Sequence, residues 1–205
     1  MIIKYFQYLS IKIAKMKVSW TPHKKLIINT KRFFLRSLIL KDATPLQQSW
    51  LNDKDTNKWL NSYYKKHSIK SIKSHIKSYD NYNNFHLGVF VNTSSAHIGN
   101  FSILVDHFHK IAEIRVLIGN KNWWGKDVVI ECRREIINWL FLDLKMFKIF
   151  GSPVIDNVPA IFNYQKQGFT CECILKKHKL TEYKNRRDVA IFSLFKKDWA
   201  QGEKL

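Results

Sequence analysis

The sequence predicts an α/β or α+β fold, in which a mixed, twisted sheet of roughly six to seven strands carries helices on both faces. Short runs of β-branched and aromatic residues alternate along the chain with longer runs whose apolar residues have helical spacing. The chain has 205 residues, 45% of them hydrophobic, which is enough for one compact core. We therefore expect one domain.

The predicted strands and helices follow one another along most of the chain. Segments with the length and residue types of strands are Phe33–Leu38, Phe85–Val91, Ala96–Leu104, Ile111–Ile118, Phe147–Ser152, Phe169–Leu175 and Asp188–Phe195. Helices are predicted at Pro45–Leu51, Asn57–Tyr64, Ser68–Tyr79, Lys126–Leu144 and Val158–Gln167. The long helix from Lys126 has the clearest periodicity. Its apolar residues are Val129, Cys132, Ile136, Leu140 and Leu144, and its other faces hold Glu131, Arg133, Arg134 and Glu135.

The turn before this long helix, Gly119–Asp127, joins it to the strand at Ile111–Ile118. A strand, a short loop with Gly125 and a helix start leave backbone N–H groups pointing outward at the positive end of the helix dipole. Such a loop is a cradle for an anion. Many glycine turns only end a strand, so geometry alone leaves that alternative open.

Several short motifs together resemble the GCN5-related N-acetyltransferase (GNAT) superfamily, in particular its ribosomal-protein-alanine acetyltransferase-like branch. The likeness runs from about Thr30 to Trp199. Its carriers are Thr30–Arg36, Leu51–Asp53, Trp59–Leu60, His97–Asn100, Ala112–Ile114, Leu117–Gly119, Trp124–Lys126, Asn157, Ala160, Tyr164 and Gly168–Phe169. The resemblance implies the GNAT fold and acetyl-coenzyme A as co-substrate.

In that family the glycine turn binds the pyrophosphate of the co-substrate, and the preceding strand separates from its neighbour so that pantetheine lies in the gap. The residues that the resemblance assigns to this binding are Val116, Leu117, Ile118, Asn122, Trp123, Trp124, Gly125, Lys126, Asp127, Asn157 and Ala160. Two of them depart from the family pattern, which has Gln or Arg at the place of Asn122 and Gly or Ala at that of Asp127. The Asp127 carboxylate is expected to repel a pyrophosphate, with Lys121 and Lys126 offsetting it.

Acetylation of an amine needs a group that accepts the ammonium proton and one that protonates the departing thiolate. Glu113, on the strand beside the gap, is the candidate for the first role, with a surface or cross-strand position as the alternative. The resemblance gives Tyr164 the second role, and packing against the sheet is its alternative. Asn157 is equally well explained as a helix cap. No metal is expected, and Asp106, His107 and His109 are interpreted as turn residues.

The ends of the chain differ from its centre. Residues 1–29 form a basic extension, which we expect to be either disordered or an amphipathic segment on an anionic surface. The acetyltransferase domain is expected over residues 30–200, followed by a tail at 201–205. No transmembrane segment is predicted. The three cysteines, interpreted as packing residues, form no even disulfide framework, which favours a cytoplasmic location.

Positive charge is concentrated in the first part of the chain. The net charge is +19, and residues 1–80 contribute +13, from 17 Lys or Arg against 4 Asp or Glu. Lys66, Lys70, Lys73 and Lys77 are predicted to share one helical face, while Ile69, Ile72 and Ile76 share another. This face either attracts an anionic acceptor or ribosomal surface, or is simply solvated.

The sequence therefore predicts a single-domain N-acetyltransferase in which an amine attacks the thioester directly, while the backbone at Val116–Ile118 polarises the carbonyl. The acceptor is expected to be a protein N-terminus or a small amine such as an amino sugar or a polyamine. The alternative is a non-catalytic module with the same fold that binds the ribosome, RNA or an anionic membrane surface. The oligomeric state does not follow from the sequence.

Overall fold

One sheet organises the protein. The computed structural model describes residues 18–19, 21, 23–60, 65–180 and 185–202, and within them nine strands form a single sheet. The strands are β1 (Val18–Ser19), β2 (Ile27–Asn29), β3 (Phe33–Ser37), β4 (Asn84–Val91), β5 (His97–Asp106), β6 (Ile111–Ile118), β7 (Lys148–Gly151), β8 (Thr170–Leu180) and β9 (Arg186–Phe195). Their spatial order is β1-β2-β3-β4-β5-β6-β7-β9-β8.

Helices occupy the connections between the strands. They are α1 (Pro45–Asn52), α2 (Lys54–Asn57), α3 (Ile69–Lys77), α4 (Val128–Leu142), α5 (Val158–Lys166) and α6 (Lys196–Gly202). Two short 3₁₀ turns lie at Leu40–Asp42 and Lys121–Trp123. None of the helices within the described part of the chain is both long and apolar enough to cross a bilayer.

The two faces of the sheet bury separate apolar clusters. On one face, Ile136 and Leu140 of α4 are fully buried in the cluster that contains Phe101 and Ile103 of β5. On the other face, Ile72 and Ile76 of α3 pack in a smaller cluster with Phe90 of β4. Period-two alternation along the strands supplies both clusters. The predicted fold class, a mixed sheet with helices on both faces, is confirmed.

Strands β6 and β7 separate partway along β6. They are parallel neighbours, paired at Ile111 with Lys148, Ala112 with Ile149 and Glu113 with Phe150. β7 ends at Gly151, whereas β6 continues to Ile118 with β5 as its neighbour. Among the described strands none pairs with this side of residues 114–118 of β6, which therefore present a free edge toward a gap in the sheet, as the family resemblance implies.

The sheet begins earlier than predicted. Ile27–Asn29 pairs with β3, and Leu26 and Ile28 are fully buried, so the ordered fold includes residues before Thr30. With β1, this strand raises the count from seven to nine. The expectation for residues 1–17 lies outside the described part of the chain. At the other end, α6 extends through Gly202, two residues into the predicted tail.

Two predicted helices have different boundaries. The helix predicted at Asn57–Tyr64 is absent from the described part of that range beyond Asn57: α2 lies earlier, at Lys54–Asn57, because Asp53 caps it by accepting hydrogen bonds from the backbone of Asp55 and Thr56. Residues 58–60 form a turn, and residues 61–64 are not described. The helix predicted from Lys126 begins at Val128, since Asp127 has a left-handed φ of 55°.

The cysteines have unequal environments. Cys132 is buried in α4 as predicted, but Cys171 and Cys173 are exposed on β8, so their interpretation as packing residues is wrong. Their strand-like sequence context suggested burial, but β8 is an edge strand of the sheet.

Candidate active site

The gap between β6 and β7 opens into a cavity of about 660 Å³. One end is formed by the turn from Trp123 to Asp127 and the start of α4, and the other by Ser152, Tyr164 and Lys179. The free edge of β6, including Val116, Leu117 and Ile118, lines the cavity between the two ends. We call the first end the cradle end and the second the acceptor end.

The cradle end exposes backbone. Gly125 has φ +70°, and a Cβ placed on it would meet no atom within 4 Å, so the chain is open to a ligand here. The Trp124 indole Nε1 donates to the Ile118 carbonyl at 2.8 Å and holds the turn against β6. The side chain of Asp127 does not cap α4. The first N–H groups of α4 are thus available to an anion such as a pyrophosphate.

Charges at the cradle end are arranged differently from the prediction. The Asp127 carboxylate forms an ion pair with Lys166 Nζ of α5 at 3.0 Å. Lys121 contacts Asp53 and Asp55 instead, at 3.0 and 2.7 Å. Lys126 lies with Nζ 5.6 Å from the centre of the Trp123 ring. Lys166, which the sequence analysis did not select, therefore offsets the Asp127 charge, whereas Lys121 does not.

Three further residues selected for co-substrate binding have unequal positions. Asn157 and Ala160 line the cavity at the start of α5, and the Asn157 side chain accepts a hydrogen bond from Ala160 N at 3.3 Å. Asn157 therefore caps α5 and also lines the cavity, so its two predicted positions are compatible. Asn122 does not line the cavity; it is exposed in the 3₁₀ turn, where its backbone N–H donates to the Asn120 side chain.

Tyr164 lies where the two strands separate. Its hydroxyl donates to the Ile114 carbonyl of β6 at 3.3 Å, and a Cβ on Gly151 of β7 would be 1.9 Å from the hydroxyl oxygen. The ring stacks on Phe192, with 5.4 Å between centroids. Burial raises the pKa of Tyr164, so the hydroxyl keeps its proton at neutral pH. The Tyr164 ring therefore packs against the sheet, and the residue also lines the cavity.

A buried arginine beside Tyr164 was not predicted. Arg133 of α4 is 1% exposed, and its guanidinium carbon lies 4.2 Å from the centre of the Tyr164 ring. Its Nε donates to Gln167 Oε1 at 2.6 Å and its Nη2 to the Asn163 carbonyl at 2.7 Å. The sequence analysis assigned Arg133 to a polar face, although its spacing of four residues from Val129 and three from Ile136 places it on the apolar side of the helix, unlike Arg134.

Glu113 is placed behind the cavity wall. It is 8% exposed and does not line the cavity. Its Oε1 accepts from Ser152 Oγ at 3.0 Å and its Oε2 from Arg115 Nη2 at 2.6 Å. Ser152 and Arg115 do line the cavity, so the Ser152 hydroxyl connects the cavity to the Glu113 carboxylate by a hydrogen bond. Both contacts come from residues that the sequence analysis did not select.

The lysine face and the histidine turn lie elsewhere. Lys70, Lys73 and Lys77 are exposed on α3 and border a shallow hollow with Leu40, while Lys66 precedes the helix. None of these four lines the cavity. Asp106 organises the turn between β5 and β6 by accepting from the backbone of Phe108 and His109. Among the described residues no group of three or more His, Cys, Asp or Glu side chains is arranged to hold a metal.

Comparison with known proteins gives the same assignment along most of the chain. The family model "Acetyltransferase (GNAT) domain" matches residues 32–170. The uncharacterized N-acetyltransferase p20 of Bacillus licheniformis is 26% identical over 182 residues, covering 83% of this chain and 97% of that protein.

Two solved structures share the fold. One is the spermidine N-acetyltransferase of Vibrio cholerae in complex with CoA and spermine, with a TM-score of 0.73, 17% identity, and coverage of 82% of this chain and 98% of that chain. The other is the ribosomal-protein-S5-alanine acetyltransferase of Vibrio fischeri, with a TM-score of 0.68, 15% identity, and coverage of 84% and 98%.

Proposed function

Since the chain belongs to the GNAT acetyltransferase family, we propose that its cavity holds acetyl-coenzyme A and that Tyr164 and Glu113 assist transfer of the acetyl group to a primary amine. The chain is an N-acetyltransferase. Acetyl-coenzyme A supplies the activated acetyl group as a thioester. The observation that carries the assignment of roles is the position of the Tyr164 hydroxyl, at the point where β6 and β7 separate.

The cradle end is suited to the phosphates of the co-substrate. The open backbone at Gly125 and the uncapped start of α4 supply N–H donors, and Lys126 adds a positive charge. The free edge of β6 at Val116–Ile118 is suited to the amide groups of pantetheine and to polarising the thioester carbonyl.

The residues around Tyr164 are suited to the two proton transfers. The ammonium of the acceptor loses a proton through the Ser152 hydroxyl to the Glu113 carboxylate. The lone pair of the neutral amine then forms the new C–N bond, and the C–S bond breaks. The departing sulfur takes its proton from Tyr164, which is kept protonated by its burial, and the Tyr164 oxygen then takes the second proton that the nitrogen loses as it becomes an amide.

We further propose that the acceptor is a protein N-terminus or a small amine such as an amino sugar or a polyamine. The two neighbours named above act, by their names, on spermidine and on a protein alanine, so both classes belong in the test. Identities of 15% and 17% carry the fold and not the acceptor. A non-catalytic module for ribosome, RNA or membrane binding is the competing function, and the same experiment separates it.

The experiment combines binding with turnover. Acetyl-coenzyme A should raise the melting temperature in a concentration-dependent way, because it binds only the folded chain. Addition of a panel of amines and N-terminal peptides should then release free thiol with at least one acceptor. A melting temperature that does not move at millimolar acetyl-coenzyme A would refute the proposed site.

A further inference from the structure

The acceptor end lies one residue beyond the point where β6 and β7 separate. At that point the Tyr164 hydroxyl bonds Ile114 and lies against Gly151. The next residues outward, Arg115 on β6 and Ser152 after β7, both line the cavity. Their neighbour in the wall is Lys179 of β8, whose Nζ donates to the Ser152 carbonyl at 3.2 Å. These groups surround the place where an amine would approach.

Arg115 and Lys179 leave this end with an excess positive charge. Glu113 is paired with Arg115 at 2.6 Å and neutralises one of the two cations. Lys179 is half-buried, and within the described chain its hydrogen-bond partner is a neutral carbonyl. Burial, and then the charge of Arg115, lowers the pKa of Lys179. A partly desolvated ammonium held in this way is stabilised by an incoming anion.

Carboxylates that line the cavity lie at its other end. Among the described lining residues they are Asp55 and Asp127. Each already contacts a lysine, Lys121 at 2.7 Å and Lys166 at 3.0 Å respectively. A polycationic amine would therefore meet Arg115 and Lys179 at the acceptor end without a lining carboxylate to balance its second charge.

Resting on the acetyl transfer proposed above, we propose that Arg115 and Lys179 bind an anionic group of the acceptor, which is a small primary amine that carries a carboxylate or a phosphate. Arg115 directly follows Ile114, whose carbonyl accepts from the Tyr164 hydroxyl, and both Arg115 and Tyr164 line the same cavity. An amine beside Tyr164 and an anion beside Arg115 are thus separated by only a few bonds. Amino acids and aminoalkyl phosphates have this spacing.

The test compares acceptors that differ in charge near the amine. β-Alanine and aminoethyl phosphate supply the two anionic groups, β-alaninamide is the neutral match, and diaminopropane is the cationic one. We expect kcat/KM, measured as thiol release from acetyl-coenzyme A, to be about 10-fold or more higher for an anionic acceptor than for β-alaninamide. The carboxylate and phosphate arms show which anion the site prefers.

Two variants link this preference to the site. Lys179→Gln should lower kcat/KM more for the anionic acceptors than for β-alaninamide, so that the advantage of the anionic acceptor falls about fivefold or more through KM. Lys70→Gln removes the same charge from the exposed face of α3, outside the cavity, and should keep the wild-type preference. It controls for the net charge of the protein.

Two kinds of result would overturn the anion site. One is a kcat/KM for β-alaninamide or diaminopropane that equals or exceeds that of both anionic amines. The other is an equal loss for all acceptors in Lys179→Gln. Either result leaves acetyl transfer intact, because thiol is still released. Absence of thiol release with every amine and peptide, by contrast, overturns the proposed function and the anion site together.

Discussion

The two ends of the cavity are built in different ways. The cradle end is formed by consecutive residues, from Trp123 to Val129, and offers mainly backbone groups. The acceptor end is formed by side chains from separate strands and loops, namely Arg115, Ser152, Tyr164 and Lys179. A site made from one stretch of backbone tolerates substitution of its side chains, whereas a site made from converging side chains changes with each of them. The co-substrate end is thus suited to a constant ligand, and the acceptor end to a variable one.

Tyr164 lies at the acceptor end, where β6 and β7 separate, and removal of its hydroxyl should have the largest effect on catalysis. Tyr164→Phe should lower kcat by about 100-fold or more, the usual scale for a positioned general acid, with little change in coenzyme A affinity. Steady-state kinetics with the best acceptor and calorimetric titration with coenzyme A measure the two quantities.

Tyr82→Phe is a matched control for this change. It deletes the same hydroxyl from a ring that stacks on His107, away from the cavity. Its kcat should match the wild type. A wild-type kcat in Tyr164→Phe would assign Tyr164 to packing against Phe192 alone.

The face of the sheet that carries Arg115 should make folding stability sensitive to acid. In register with Arg115 across β5 and β4 lie Ser102 and His86. Burial, with smaller contributions from His75 and His97, lowers the pKa of His86 from 6.5 to about 3. The folded state therefore holds this imidazole neutral. The contribution of the neutral His86 to the free energy of unfolding is fully present above the unfolded pKa of 6.5, and it is lost as pH falls from 6.5 toward 3.

Between pH 7 and pH 5, His86 should remove about 2 kcal/mol from the free energy of unfolding. Urea unfolding at the two pH values measures this loss. His86→Phe keeps a ring beside Tyr79 and should remove the His86 share of the loss, while His75 and His97, whose pKa values burial also lowers, keep theirs. His109→Gln, at an exposed turn residue, should keep the wild-type dependence. Equal losses in wild type and His86→Phe would contradict the depressed pKa.

The contrast between a cradle end of consecutive residues and an acceptor end of distant residues also explains which features could be predicted from the sequence. The strands and the long helix were predicted because apolar periodicity is a local property. The short strands β1 and β2 were missed, since two or three residues are too few to show alternation. The cradle loop was recognised because its glycine and flanking tryptophans are contiguous.

The residues of the acceptor end could not be predicted from local sequence patterns. Lys179 stands in a run of charged residues on an edge strand and resembles a solvated lysine until the fold places it beside Ser152. Arg133 differs in part: its spacing from Val129 and Ile136 places it on the apolar side of α4, but only the packing of α4 against α5 shows that it lies next to Tyr164. Residues whose role depends on distant segments carry no local pattern.

The smallest expected effect concerns Asp127 at the cradle end, where the sequence departs from the family pattern. The carboxylate lies at the start of α4 and is 60% exposed, and Lys166 pairs with it at 3.0 Å. Asp127→Gly should tighten coenzyme A binding by about 1 kcal/mol or less, because repulsion at an exposed and paired site is strongly screened. Glycine also relieves the left-handed φ of 55°, so the melting temperature without ligand should rise.

Asp127→Asn separates the two effects, since asparagine removes the charge but keeps a side chain. If charge matters, both variants bind coenzyme A more tightly. Weaker binding in both variants would instead mean that the Asp127 contact to Lys166 holds α5 in the position that the co-substrate requires.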